Sequence, residues 1–309
     1  KVSRINWITQ IKGWKLNWDF PLRIRIKNKL PILYQFLQKF NERDVSRVFT
    51  KLIQDIKPDI VHCFEMKLTG LPILSVMEKY PNIPFIYSSW GSDMFFYKEM
   101  GVSENKVEQF FNRVDHLITD CKRDYTIAIQ NGFKSNFIGV YPGNGGLEIE
   151  ERSIQVSDNR NVILIKGYDD GVGKALIVLK AIELLDKSVL KSLRIVVYSA
   201  DESVKKYIEE SNFFSNLNIS VYTRSSFLPN KELLKIMGES CVHIANSLSD
   251  GMPNALLEAM GMGAFPIQSN PGNVTEEVII HGVGNRSREG EEVTLSQNSL
   301  QLDEGQKAM

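Results

Sequence analysis

From Lys57 onward, short apolar runs alternate with amphipathic helical stretches, and this alternation allows little besides parallel sheets with helices returning over them. The first half predicts strands at Ile60 to Phe64, Pro84 to Ser88, His116 to Thr119 and Phe137 to Val140. Helices near Leu71 to Lys79, Glu104 to Arg113 and Arg123 to Gln130 fall between them. Tyr141-Pro142-Gly143-Asn144-Gly145-Gly146 and the polar run Glu148 to Asn161 then break the period and mark a domain boundary. The pattern restarts with strands at Val162 to Lys166, Leu193 to Tyr198, Ile219 to Tyr222, Val242 to Ala245 and Ala264 to Ile267. Helices are expected over Lys174 to Leu185, Ser203 to Glu210, Lys231 to Met237, Ala255 to Met260 and Thr275 to Ile280. The expected domains are therefore 1–147 and 148–285, each a Rossmann-like α/β layer, followed by an irregular tail, 286–309.

Within this frame the stretch Ser249-Asp250-Gly251-Met252-Pro253-Asn254-Ala255-Leu256-Leu257-Glu258-Ala259-Met260 carries most of the chemistry. Pro253 suits the first position of a helix, Ala255 to Met260 are mostly strong helix formers, and Gly261 and Gly263 supply the stop. Glu258 then falls in the second turn of an otherwise apolar helix, where an unpaired charge is costly and calls for a partner. The loop Asn246 to Asn254 runs from the carboxyl end of a strand into a helix N-terminus, where open α/β sheets place ligands and amides meet anions. A structural alternative is that Asp250 only caps the helix and Glu258 pairs with a basic side chain.

This stretch resembles the retaining glycosyltransferases of family four, of GT-B fold, whose signature is two acidic residues separated by seven others, then a small-residue turn and a strand. Asp250 and Glu258 occupy the two positions, and the match continues through Gly263-Ala264-Phe265-Pro266-Ile267-Gln268-Ser269-Asn270 to Glu276, Glu277 and the turn Gly282-Val283-Gly284-Asn285. The resemblance covers roughly Lys57 to Asn285 and implies two facing Rossmann-like domains with an interdomain cleft. It also implies that Glu258 binds the ribose of a nucleotide sugar and Asp250 the transferred sugar, that nearby backbone amides meet sugar and phosphate, and that Gly251, Met252, Pro253 and Asn254 belong to the donor-binding stretch. The family usually has Glu at the first position, so Asp250 shortens the reach by a methylene.

Lys166-Gly167-Tyr168-Asp169-Asp170-Gly171-Val172-Gly173-Lys174 also joins a strand end to a helix start, where glycines let amides approach an anion and lysine adds a point charge. It fits neither the dinucleotide fingerprint, which needs a third glycine, nor a P-loop, which needs Ser or Thr where Ala175 stands. The resemblance implies that this loop steadies a leaving diphosphate, with Lys174 at the family's lysine, Tyr168 at its arginine, and Lys166 as a substitute from the strand. A solvated lysine at a helix start is the bland alternative. In Ser225-Ser226-Phe227-Leu228-Pro229-Asn230 the relatives hold the base by backbone. On the acceptor side stands Ser88-Ser89-Trp90-Gly91-Ser92-Asp93, with Trp90 where relatives carry His. An exposed Trp90 would offer a sugar-stacking face, a buried one mere core.

The implied reaction is retaining transfer of a sugar from a nucleotide-diphospho-sugar to a carbohydrate or lipid-linked acceptor, in polysaccharide or glycolipid synthesis. Two alternatives remain: a nucleotide-sugar epimerase on the same architecture and a non-catalytic binding fragment. No Asp-x-Asp motif occurs, and His62, His116, His243 and His281 lack metal-ligand spacing, so neither metal nor resident cofactor is expected.

Composition narrows the setting. Lysine plus arginine and aspartate plus glutamate each total 37 in 309 residues, which gives no whole-chain case for nucleic acid. Cys63, Cys121 and Cys241 form no CxxC pair and read as reduced core residues of a cytoplasmic protein. No run approaches the roughly 18 apolar residues of a spanning helix, and Lys1 to Gln10 lacks a secretory apolar region. Lys12, Lys15, Arg23, Arg25, Lys27 and Lys29, interleaved with Trp14, Trp18 and Phe20, form either a peripheral contact with an anionic membrane or a solvated edge.

Overall fold

The computed structural model describes residues 7–11, 16–17, 26–27, 29–143, 146, 149, 151–226 and 228–279, and the backbone of 286–287. The glycine turn expected at 282–285, most of the basic segment before residue 29, and the tail beyond 287 lie outside the described residues. The elements in order are α1 (Pro31–Asn41), α2 (Val45–Ile56), β1 (Val61–Phe64), α3 (Leu71–Met77), β2 (Phe85–Ser88), α4 (Glu104–Arg113), β3 (His116–Thr119), α5 (Lys122–Gln130) and β4 (Asn136–Val140). They continue as β5 (Val162–Lys166), α6 (Ala175–Glu183), α7 (Lys187–Leu190), β6 (Arg194–Ala200), α8 (Glu202–Glu210), β7 (Asn218–Thr223), α9 (Asn230–Gly238), β8 (Ser240–Ala245), α10 (Asn254–Gly261), β9 (Phe265–Ser269) and β10 (Arg286–Ser287). The class is α/β, with two sheets ordered β1-β2-β3-β4 and β10-β9-β8-β5-β6-β7.

The chain forms two compact units: Lys1–Ser88 with Val102–Leu117 and Asn131–Ile138, and Ser89–Gly101 with Ile118–Gln130 and Gly139–Met309. In the first unit Phe85, Tyr87, Phe110 and Phe111 are fully buried, and the Tyr87 and Phe110 rings meet edge to face at 5.0 Å. Arg113 closes this core by donating to the Met77, Tyr80 and Ile83 carbonyls and to Asp115.

In the second unit the strand pairs among the described residues are parallel, which requires crossover helices and buries both faces. Alternation decides which side chain goes where. Ile163, Ile165, Ile195 and Val197 join the core with α6 and α8, while Val162, Leu164, Val196 and Tyr198 face α9 and α10. The chain runs outward from β5 through β6 to β7, then returns to β8 on the other side of β5 and continues to β9 and β10. The reversal makes the carboxyl ends of β5 and β8 the topological switch point, the usual ligand position in such a sheet.

Three expectations need correction. Pro253 is the N-cap rather than the first helical residue, so α10 begins at Asn254. Of the helix expected over Thr275 to Ile280, Thr275 to Glu277 instead end a run of 3-10 turns over Pro271–Glu277, which stops at Val278 with its non-helical φ of −123°, and Ile280 lies outside the described residues. The tail expected to be irregular from residue 286 begins with β10, whose Arg286 and Ser287 pair with Gln268 and Ser269.

Candidate functional site

At the switch point lies a pocket of about 270 Å³ lined by residues of the second unit. Lys166 and Tyr168 reach it from the end of β5, Asp170 and Gly173 from the following loop, Asn246, Ser247, Ser249 and Asp250 from the loop after β8, and Ser92 from the segment after β2. The volume lies near the lower end for small-molecule sites, enough for a compact polar group.

Close backbone approach explains two glycines of the stretch from Lys166 to Lys174. A Cβ on Gly167 would lie 2.6 Å from the Ala200 Cα, and one on Gly173 would lie 2.5 Å from the Tyr168 carbonyl oxygen. The loop is tied to its neighbour by Lys174 N–H donating to the Asn246 carbonyl at 2.9 Å and Leu248 N–H to that of Val172 at 2.9 Å.

Lys166 and Asp250 are brought together, Nζ to Oδ2, at 3.8 Å. Burial pushes the Asp250 carboxyl above its usual range, and the Lys166 ammonium opposes that rise. Asp250 is not the N-cap of α10, which is Pro253, a residue with no side-chain cap hydrogen bond. Glu258, half-buried in the helix, accepts from Asn230 Nδ2 at 3.4 Å, so its partner is an amide at the start of α9 rather than a cation. Leu228, on the loop before that helix, is half-buried.

Lys174 stands at the N-cap of α6 and is not among the residues lining the pocket. The amides expected to meet an anion here are also engaged within the protein. Asp201 accepts from Asp169 N–H, Asp170 from Gly173 N–H, the Tyr168 carbonyl from Ala175 N–H, and Asp169 from Leu176 N–H.

Sequence reasoning missed Arg224. Its guanidinium lies 4.1 Å from the centroid of the Tyr168 ring, and the Lys166 Nζ lies 4.8 Å from the same centroid, so a guanidinium from the end of β7 comes to the ring standing at the family's arginine position. Arg224 is tied to Asp170 at 2.8 Å and Asp201 at 3.2 Å, and its hydrogen bond holds the Asp170 carboxyl below the usual range. No sequence signal marks an arginine that acts from a neighbouring strand end.

Beneath the site, Tyr198 OH and His243 Nε2 are 2.9 Å apart and fully buried. Burial lowers the imidazole to about 3, with Lys166 adding to the effect, and raises the phenol above its usual range.

Of the residues expected on the acceptor side, Trp90 is 57% exposed, which removes the core reading. Gly91 takes a left-handed φ of +64°, Ser92 lines the pocket, and the buried Asp93 accepts from Trp90 N–H at 3.2 Å. Met252 is buried against Cys121 and Val274. Asn254 opens α10 with its side-chain oxygen buried and without a hydrogen bond among the described residues.

One group among the described residues, Asp120, Cys121 and Asp124, brings three potential metal-binding atoms within 4.8 Å of one another. Two backbone amides already donate to Asp120 Oδ2, and Arg123 donates to Asp124 Oδ1. The group is thus a hydrogen-bonded junction with a guanidinium inside it, a poor setting for a cation.

Residues 26–121 match the family described as Glycosyl transferase 4-like, which extends the likeness upstream of Lys57. A search of curated proteins finds no match. Among solved structures, the pneumococcal O-GlcNAc transferase GtfA in complex with UDP and GlcNAc superposes with a TM-score of 0.58 at 15% identity, covering 79% of this chain and 50% of that one. Anabaena Alr3699/HepE in complex with UDP and glucose gives 0.57 at 15% identity, with 80% and 69% covered. The E. coli trehalose-6-phosphate protein bound with UDP-2-fluoro glucose gives 0.58 at 14%, with 75% and 64% covered. The chain spans about half the length of the first of these. Among the described residues no helix is long and apolar enough to cross a membrane. The chain thus carries a glycosyl transferase 4-like match over residues 26–121 and the parallel α/β architecture of the GT-B glycosyltransferases.

Proposed function

We propose that this protein transfers a sugar from a nucleotide-diphospho-sugar to an acceptor hydroxyl with retention of configuration, in polysaccharide or glycolipid synthesis. The observation that carries the reading is the Lys166–Asp250 pair in the pocket at the switch point, with Glu258 further along the helix that the same loop enters. Asp250 orients the transferred sugar, Glu258 the ribose, and the backbone near Leu228 the base. The N-terminus of α10, whose N-cap residue Pro253 makes no side-chain cap hydrogen bond, faces the diphosphate with its positive end. As the bond from the anomeric carbon to the diphosphate oxygen breaks, the acceptor oxygen bonds to that carbon on the same face and its proton passes to the departing phosphate. Lys166, with Lys174 as the alternative cation, stabilises the growing negative charge.

The expected absence of metal and resident cofactor remains part of this proposal, as do Trp90, Gly91, Ser92 and Asp93 on the acceptor side. So does a peripheral membrane contact on the cytoplasmic face. Support for that contact comes from α1, where Ile32, Leu33, Phe36 and Phe40 are exposed and Lys39 lies in the last turn. Turnover against a panel of nucleotide sugars, with nucleoside diphosphate release followed with and without acceptor, tests the reading. Acceptor-dependent release supports transfer, interconversion of the donor sugar supports an epimerase, and binding without release supports a non-catalytic module.

A further inference from the structure

The loop that carries Asp250 is gripped from outside by two side chains of the segment Asp120 to Arg123. Asp120 Oδ2 accepts from Gly91 N–H at 3.2 Å and from Met252 N–H at 3.3 Å. Arg123 donates through Nη2 to the Asp250 carbonyl at 2.8 Å and through Nη1 to the Pro271 carbonyl at 3.1 Å. Its guanidinium is fixed by Asp124 at 2.9 Å and lies over the Phe95 ring at 4.5 Å. The helix carrying Arg123 is itself anchored, since the Glu277 carboxylate accepts from the Lys122 and Arg123 amides at 2.8 and 3.1 Å. Between the two grips sits Gly251, where an added Cβ would lie 2.0 Å from Asp120 Oδ2 and 2.8 Å from the Gly91 carbonyl oxygen. The N-cap residue of α10 is Pro253, whose side chain makes no cap hydrogen bond, so among the described residues the path of Asp250 to Met252 rests on these outside contacts.

We propose that Asp120 and Arg123 are positioning residues, which set where the Asp250 carboxylate and the amides entering α10 meet the sugar and diphosphate. The inference rests on the transferase reading. Each residue acts through main-chain atoms of the loop, and neither lines the pocket. Displacing the loop therefore removes transition-state contacts while leaving the ribose and base contacts of Glu258 and the Leu228 segment in place. An error of about 1 Å in such a contact costs on the order of a hundredfold in rate.

The test uses the full chain and four variants, Asp120→Ala, Asp120→Asn, Arg123→Ala and Arg123→Lys. Asparagine keeps one oxygen for the two amides, whereas lysine cannot span the Asp250 and Pro271 carbonyls while holding Asp124. The expected result is a loss of at least tenfold in kcat for both alanine variants, with donor KM within threefold of wild type. Asp120→Asn recovers most of that loss and Arg123→Lys little of it. Equal kcat per folded molecule in wild type and both alanine variants, with only Tm lowered, overturns the proposal, as does an Asp120→Asn variant no better than Asp120→Ala. Hydrogen exchange of the Met252 amide supplies a readout without turnover. It should speed at least tenfold in Asp120→Ala and stay near wild type in Asp120→Asn, and unchanged exchange in Asp120→Ala also overturns the proposal. Wild-type protein without turnover on any donor, yet with this exchange pattern, sinks the transferase reading and leaves the positioning of the loop standing.

Discussion

Replacing Lys166 by methionine keeps the length of the side chain and removes its charge, which isolates the electrostatic role of the pocket cation. At 3.8 Å and an effective dielectric of ~20, the Lys166–Asp250 attraction is about 4 kcal/mol before desolvation is subtracted. Both side chains are mostly buried, at 22% and 23% exposure, so screening removes only part of that attraction. A net loss of about 1.5 to 3 kcal/mol is the range for bonds to a charged group. It corresponds to roughly a ten- to hundredfold fall in kcat/KM. The pH profile carries the sharper signature. Burial already raises the Asp250 carboxyl and Lys166 holds it down, so without the ammonium the carboxyl rises further and its ionised form appears only at higher pH. The acidic limb of kcat/KM for Lys166→Met should therefore move upward in pH, measured with a saturating acceptor and varied donor. A profile within threefold of wild type across that limb, together with a tenfold loss in Lys174→Ala, would refute the reasoning and return the phosphate role to Lys174.

Glu258→Ala should weaken nucleotide-sugar binding by about 1.5 to 3 kcal/mol without unfolding the chain, and calorimetry showing unchanged affinity would leave Glu258 only its contact with Asn230. His243 stays neutral in the folded protein down to about 3 but takes a proton near 6.5 when unfolded, so stability present above 6.5 is lost as the pH falls toward 3. His243→Asn should flatten that dependence by up to ~1.4 kcal/mol per pH unit; equal urea midpoint shifts between pH 7 and 5 in variant and wild type would contradict it. EDTA should leave turnover intact, and a complete loss restored by a divalent ion would defeat the metal-free step. Gly251→Ala forces a Cβ toward Asp120 and Gly91, so turnover should drop at least tenfold, and a fully active variant would mean the loop has room to shift.

What the sequence made legible follows from the range of the forces involved. Apolar alternation is local, so β5 and β3 begin and end where their residue patterns do, and α4 matches its expected bounds. Helices α1 and α2 went unseen because they precede the alternation. Of the long apolar side chains in α1, Ile32, Leu33, Phe36 and Phe40 face outward, which inverts the usual rule for a helix on a core. The misjudged helix at Thr275 shows the opposite limit. Its residues have adequate propensity, but the left-handed Gly272 and Asn273 bend the chain so that Glu277 can cap α5, a purpose that lies far away in sequence.

The two strand-to-helix loops of the second unit show most clearly why a motif does not fix a site. Both have the composition of an anion site, with glycines and a helix start, and by sequence the loop from Lys166 to Lys174 is the richer one. In the structure its own aspartates and neighbouring carbonyls have taken the amides that a phosphate would use, and Asp170 places a carboxylate on the pocket wall. That carboxylate is already paired with Arg224, so the loop offers an entering anion little uncompensated positive charge, which the glycine pattern does not reveal. The loop before α10 lacks a lysine but leaves its helix without a side-chain hydrogen bond from the N-cap, Pro253, and it borrows its charge from Lys166 across the switch point. On the proposed transferase reading, a diphosphate therefore fits better between Lys166 and the start of α10 than within the glycine-rich loop itself.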